Sequence, residues 1–376
     1  GPLSMMTELA VINGRVDLAE EHLQKLIVLA PDDRAVAIAR GFTALKQNDF
    51  ATAQKNIDTL LINGPRDSVA GILQARLFIA QRKFPEAIAF LDGRLGKGGD
   101  DGVILRSLSA IHRYLGDWPA AAAADTKLWR AFPSAPLLAA RALSSALQAD
   151  DLPRANEITK RYLSEARTTD EAVDVLSAWV DHAPPSAIPE IADTAALPDP
   201  ARIALANYYN RTDRPDRALA LLGSTPRPLD QRANVDFNAV VAHALFLTGK
   251  TGPAKTILDR LVAIEPDDRL ALSARALLLS KIGDHRNAVA DAQRLVTAYD
   301  TLADQRVLLA RIYGANRDFR WAERTLWDGY RDLPGNETLY RQLQRNLAGR
   351  GDQEGLVRLK KGQAEIRFSR LMKEMA

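Results

Sequence analysis

An alanine recurs along this chain at a spacing that few folds explain. Ala19, Ala53, Ala87, Ala121 and Ala155 stand 34 residues apart. The residue three places before each is bulky: Val16, Phe50, Phe84, Trp118 and Leu152. Twelve places after most of them comes a helix-ending proline, at Pro31, Pro65 and Pro133, with Gly99 in that place once. The phase slips in the middle of the chain, and a second series runs Ala254, Ala288, Ala322. Its turn positions hold Gly249, Gly283, Arg317 and Gly351, and its closing prolines are Pro266 and Pro334. A fixed period of this length marks one supersecondary unit repeated many times, each copy burying its apolar face against the next.

The unit reads as two helices. Apolar residues recur at i, i+3 and i+4, as in Ile257, Leu258, Leu261 and Ile264, which is the stripe of a helix packed on one side. Gly116, Gly249 and Gly283 suit the tight turn after the first helix. The periodic alanine belongs where the two helices cross closely, because a larger side chain would push them apart. Proline ends the second helix, since the residue before it avoids the α region. An aspartate in APDD (30–33), GPRD (64–67) and EPDD (265–268) is then placed to cap the next one. The units start near 34, 68, 102, 136, 170, 199, 235, 269, 303 and 337, after a partial unit at 5–33.

At these positions the chain resembles the tetratricopeptide repeat family. That family has a small residue in its first helix, a turn glycine, an aromatic and an alanine in its second helix, and then the proline. Gly41, Ala75, Ala242, Ala276 and Ala310 fill the small place and Tyr313 an aromatic one; the common early tryptophan is missing. The expected fold is therefore all-α, a right-handed superhelical solenoid of about ten to eleven helical hairpins. It has an irregular middle unit and a C-terminal capping helix.

The expected organisation is an N-terminal array over 5–165, a proline-rich middle over 166–234, a second array over 235–350 and a cap over 351–376. Residues 1–4, GPLS, read as a protease-cleavage scar left by cloning. In the middle, Pro184, Pro185 and Pro189 cannot sit inside a helix, so the second helix of that unit is stunted. In the cap, Leu356, Leu359, Ile366, Leu371 and Met375 are expected to face the preceding unit.

Composition narrows the function classes. Hydrophobic residues make up 47% and charged residues 26%, the balance of a folded rather than a disordered chain. The net charge of +3 builds no global field for nucleic acid. There is no cysteine, so disulfides and thiolate metal sites are excluded. No apolar run reaches the roughly 18 residues of a membrane span.

Motifs for chemistry are weak. ALFLTGKT (244–251) fits a loose phosphate-loop pattern, but ALFL continues a helical stripe and Gly249 is the turn glycine of the repeat, so Lys250 is not expected to bind a nucleotide. GRLGKGGDDG (93–102) reads as an inter-repeat loop. His22, His112, His182, His243 and His285 fall in different units without ligand spacing. The expectation is a non-enzymatic protein with no cofactor and no metal site.

What remains is a binding surface. In the resembled family the first helices line the concave face. Mapped onto this chain, the outward places on those helices hold Arg76, Arg106, Arg113 and Tyr114 in the first array. Further along they hold Asn207, Asn210, Arg211 and His243, then Arg311, Arg341 and Arg345. Glu171, Asp174 and Asp181 form an acidic patch between them. The guanidinium fork pairs with carboxylates through two parallel hydrogen bonds, so the expected partner is an acidic peptide or protein segment. Asn207 resembles a carboxylate-clamp asparagine, but the preceding unit offers Asp174 where that clamp has a base. The resemblance also implies a place in a bacterial envelope assembly such as polysaccharide export or secretion, periplasmic or membrane-associated, with the cytoplasm as the alternative. Direct binding of saccharide or peptidoglycan is the competing function, and an exposed tryptophan pair would favour it.

Overall fold

The computed structural model describes residues 2–12, 16–95, 101–184, 187–191, 193–229 and 233–375, the side chains of 8–12, 16–20 and 233 excepted. Gly99, Pro185 and the side chains of Val16 and Ala19 lie outside that set. All regular structure among the described residues is helical. The helices pair as antiparallel hairpins: α1 (Pro2–Ile12) with α2 (Val16–Leu29), α3 (Arg34–Lys46) with α4 (Phe50–Asn63), and α5 (Ser68–Ala80) with α6 (Phe84–Arg94). Next come α7 (Gly102–Leu115) with α8 (Trp118–Ala131) and α9 (Pro136–Gln148) with α10 (Leu152–Ser164). After α11 (Thr169–His182), which packs on α9 and α12 and has no second helix of its own among the described residues, follow α12 (Asp199–Arg211) with the short α13 (Pro215–Leu222), and α14 (Ala233–Leu247) with α15 (Thr251–Ile264). The series ends with α16 (Arg269–Lys281) and α17 (His285–Ala298), α18 (Ala303–Ala315) and α19 (Phe319–Asp332), then α20 (Glu337–Gly349) and the long α21 (Gln353–Glu374). First helices begin at or within two residues of the starts expected from the period. Residues 187–191 and 193–198, which follow α11, carry no helix, as the prolines require.

The repeat residues do what their spacing demands. Ala53, Ala87, Ala121, Ala155, Ala254 and Ala288 are completely buried, and Ala322 nearly so. Asp33, Asp67, Asp101 and Asp268 accept backbone N–H groups at the start of first helices, while Asp49, Asp117, Asp151 and Asp284 do so for second helices. Every described turn between the two helices of a hairpin uses a left-handed residue. Where Gly116, Gly249, Gly283 and Gly351 supply it in some units, Asn48, Arg82, Asp150, Asp213 and Arg317 are held there in others, with φ between 56° and 64°. A side chain in that conformation is strained.

Pro2, Leu3 and Ser4, set aside above as a cloning remnant, form the first turn of α1. Leu3 packs against the core that holds Leu23, Leu26 and Ile38, and Ser4 donates to Asp33 at 2.8 Å.

The chain divides into two compact units, one of Gly1–Phe132 with Arg367–Ala376, the other of Pro133–Ile366. The first contains one core around Ile38, Ile57 and Leu73 and another around Ile79, Leu91 and Ile111. The second contains a core around Leu309, Ile312, Leu326 and Leu343. The last helix departs from the expected cap. Leu356, Leu359 and Ile366 do pack in the core of the preceding repeats. Leu371 and Met375 instead join Ile72, Ile79 and Ile111 in the first unit. Their spacing marks an apolar face but does not name what covers it.

Candidate functional site

In the first unit, the outward faces of α5 and α7 carry the expected residues and hold residues 367–375 against them. Leu371 and Met375 are 3% and 2% exposed among Ile72, Ile79, Ile104 and Ile111; each burial contributes on the order of 2 kcal/mol. Tyr114 stacks on Phe84 at 5.3 Å and meets the edge of Phe368 at 5.9 Å. Its hydroxyl accepts a 3.0 Å hydrogen bond from Arg82, whose guanidinium lies 3.6 Å over the Phe368 ring. Arg113 donates to Glu374 at 2.5 Å and to the Ser109 hydroxyl at 3.2 Å. Arg367 reaches back to the carbonyls of Arg113 and Tyr114, which end α7.

Arg76 sits on the same face of α5, one turn from Ile72 and from Ile79. Its guanidinium lies 4.5 Å over the Phe42 ring, and its Nε and Nη1 have no hydrogen-bond partner. Burial pushes it down to about 10 from the ordinary arginine value, because water is excluded and no carboxylate compensates. Arg106, two turns before Arg113 on the same face of α7, is exposed.

In the second unit the expected basic and acidic patches are not separate surfaces. Arg269 donates to Asp174 at 2.7 Å and lies 2.8 Å from the Asp170 carboxylate, joining the start of α16 to the start of α11. Arg211 pairs with Asp304 at 2.8 Å, joining α12 to α18. Arg341 on α20 donates to the Asp181 carbonyl at 2.5 Å, and the Thr338 hydroxyl donates to the Asp181 carboxylate at 3.2 Å. Burial raises Asp181, and Asp304 adds to that, against the opposing charges of Arg211 and Arg341.

Three expected contact residues are interior. Asn207 is 7% exposed, Asn210 4% and His243 8%. Asn210 donates to the Val240 carbonyl at 2.9 Å, so it ties α12 to α14. Burial pushes His243 down to about 4, with Arg311 and Arg211 adding to the effect. It is neutral at any ordinary pH and serves packing. Arg311 and Arg345 stay exposed.

Arg82 and Arg269 were not among the expected site residues. Arg82 is hidden as a turn residue in a place where glycine is usual. Arg269 did carry a signal: a cation in the first turn opposes the helix dipole, which asks for a specific carboxylate nearby.

The phosphate-loop match dissolves, since Ala244–Leu247 lies inside α14 and Gly249 has the left-handed turn conformation. A shallow, mainly apolar depression of about 460 Å³ adjoins Lys250, lined also by Leu245, Pro253 and Ile257. Among the described residues no three histidine or acidic side chains gather as for a metal ion, and no helix is long and apolar enough to cross a membrane. Trp129 and Trp179 are buried, at 0% and 2%; Trp321 is exposed and stacks near Tyr313 at 6.2 Å.

Helical hairpins with a buried alanine at the described crossings, a left-handed residue in the described turns and an aspartate cap at many helix starts make this a tetratricopeptide-type solenoid. No family model matches the sequence, and no curated protein matches it. Among solved structures the chain is similar in fold to a tetratricopeptide repeat protein from Parabacteroides merdae, with 14% identity, 84% of this chain and 98% of that one covered, and a TM-score of 0.38. It is similar in the same way to yeast Tom70, with 13% identity, 97% and 91% covered, and a TM-score of 0.37. For MamA the values are 15%, 44% and 95%, and 0.33.

Proposed function

We propose that the protein is a non-enzymatic scaffold whose first-helix faces bind an acidic segment of a partner protein. One observation carries this reading: the arginines on those faces already engage carboxylates from distant parts of their own unit. Arg113 holds Glu374, Arg211 holds Asp304, and Arg269 holds Asp170 and Asp174. These side chains are thus placed and oriented for carboxylates. Arg106 is exposed on α7, which also carries Arg113, while Arg311 and Arg345 are exposed on the first helices α18 and α20, and Arg76 keeps its buried Nε and Nη1 unused. A solenoid leaves such faces long and continuous because each repeat needs only its neighbours for a core.

The reading is tested with a fluorescent polyglutamate peptide and the full chain. Binding should weaken as salt rises, because exposed charges are screened. Arg106→Glu and Arg345→Glu should each weaken it further, while Lys127→Glu on the exposed side of α8 should not. Salt-independent binding, or equal loss from all three reversals, would refute it.

A further inference from the structure

The first unit already contains an occupied helix-binding seat. Residues 367–374 form the end of α21 and, with Met375 just beyond it, present Phe368, Leu371, Met372 and Met375 on one face, all packed in the core built by α5, α6 and α7. This is the i, i+3, i+4, i+7 pattern by which an amphipathic helix enters a groove. Glu374 flanks that stripe and takes the Arg113 guanidinium. Apolar fit is therefore good, but charge fit is poor. The segment brings Arg367, Arg370 and Lys373 to a face that holds Arg76, Arg82, Arg106 and Arg113, with Glu374 its one acid. That carboxylate is divided, since Arg370 also pairs with it at 2.8 Å. The clearest mismatch is Arg76. On α5 it stands between Ile72 and Ile79, which share a core with Leu371 and Met375, and its Nε and Nη1 are buried without any acceptor. A guanidinium with buried, open donors on the same helix face as an apolar seat asks for a carboxylate that the present occupant does not bring.

We propose that the α5–α7 face is the docking groove for an acidic amphipathic helix of a partner protein, and that residues 367–375 occupy it as a self-ligand which the partner displaces. This inference rests on the scaffold reading above and adds to it the site, the helical form of the ligand and the competition. The partner helix carries an aromatic, a leucine and methionine-like residues on one face, with acids where this chain has Arg367, Arg370 and Lys373.

The probe is a labelled peptide of residues 363–376 carrying Arg367→Glu, Arg370→Glu and Lys373→Glu, used with the full-length chain. It should bind the wild type, and amides of 367–375 in the chain should lose exchange protection as it does. Leu371→Asp with Met375→Asp in the chain frees the seat, so the peptide should bind at least about tenfold more tightly, because a competing state has been removed. Adding Arg113→Glu should abolish the gain. Binding without loss of protection at 367–375 would overturn the proposal even if the freed variant folds poorly, because that measurement needs only the wild type. Absence of peptide binding to wild type and freed variant alike would also overturn it. So would a concentration-dependent dimer exchanging these segments, which would make a second copy the occupant. If polyglutamate still binds with the salt and arginine dependence given above while the helical peptide fails, the displacement idea falls and the scaffold reading stands.

Discussion

Replacing Asp268 by asparagine should stabilise the second unit most at mildly alkaline pH and progressively less as the pH falls towards about 4. Asp268 caps α16, accepting the Ala271 N–H at 2.7 Å, and it faces Asp236 in the first turn of α14. Burial raises Asp268 from 3.8 to about 7, with the charges of Asp236 and Asp170 adding to the rise and the Ala271 hydrogen bond opposing it. Asp236 is raised too, by burial first, so the pair retains a proton close to neutral pH. The other groups around it are Asp170, Arg269 and Thr169, with Tyr299 and Asp174 just beyond. In the unfolded chain Asp268 loses its proton near 3.8, and in the folded chain only near 7. Between those values the folded state binds the additional proton, so stability falls as pH rises through that window and stays low above it. At roughly 1.4 kcal/mol per unit, a shift of about three units sets a ceiling of about 4 kcal/mol. Relaxation and water access around a partly buried pair bring the expected gain to about 1–3 kcal/mol at about pH 8.

Asparagine isolates this term. It caps a helix as well as aspartate does, and its amide can donate to the Asp236 carboxylate where the shared proton stood. Long repeat arrays do not unfold in one step, so the measurement is native-state amide exchange in α14 and α16, comparing variant with wild type at each pH. Protection should rise about tenfold or more at about pH 8, since 1.4 kcal/mol corresponds to a factor of ten, and by only about a third of that free energy at about pH 5, where the window is crossed only in part. An equal change at both pH values, or a loss at about pH 8, would refute the shared-proton reasoning.

Arg317→Gly should stabilise α18 and α19 by about 1 kcal/mol, because Arg317 is exposed with φ 64° in a left-handed turn that glycine adopts without strain; a thermal melt showing no gain would count against the strain argument. Ala121→Leu should cost about 1–3 kcal/mol by overpacking a crossing where the methyl is completely buried, whereas Lys127→Glu on the exposed side of the same helix should change little in the same melts. Arg76→Met should raise the stability of the first unit by about 1–3 kcal/mol, because it removes a buried charge with unused donors and keeps the contact with Phe42. The same variant should bind acidic peptides less well, and a stable variant with unchanged binding would show that Arg76 has no part in recognition.

The fold was legible because the period records contacts between neighbours. Ala87 and Ala121 mark helix crossings, Asp101 and Asp268 mark starts, and Gly116 and Gly283 mark turns, and each role is decided within its own repeat. Asn48, Arg82 and Asp150 occupy the same left-handed turn without glycine, so composition hid them while the period still located them. The site was less legible because its decisive contacts are not periodic. Arg269 and Asp174 are 95 residues apart, Arg211 and Asp304 93, and Arg113 and Glu374 261. The pattern of one repeat says which side chains leave the helix pair, and nothing about which distant side chain will meet them.

That difference changes how a charged repeat face should be understood. Taken alone, Arg113, Arg211 and Arg341 look like free cations awaiting a partner. In the folded chain each already has a carboxylate or carbonyl acceptor, so any ligand must exchange with an internal one rather than fill an empty groove. Exchange makes the net affinity a difference between two similar interactions, which is small for an ordinary acidic chain and larger for one that also satisfies what the internal acceptor leaves unmet. Arg76 is the clearest unmet group in the first unit. On the docking proposed above, selectivity would follow less from the number of arginines than from Arg76, the guanidinium whose buried donors the chain's own C-terminal helix does not satisfy.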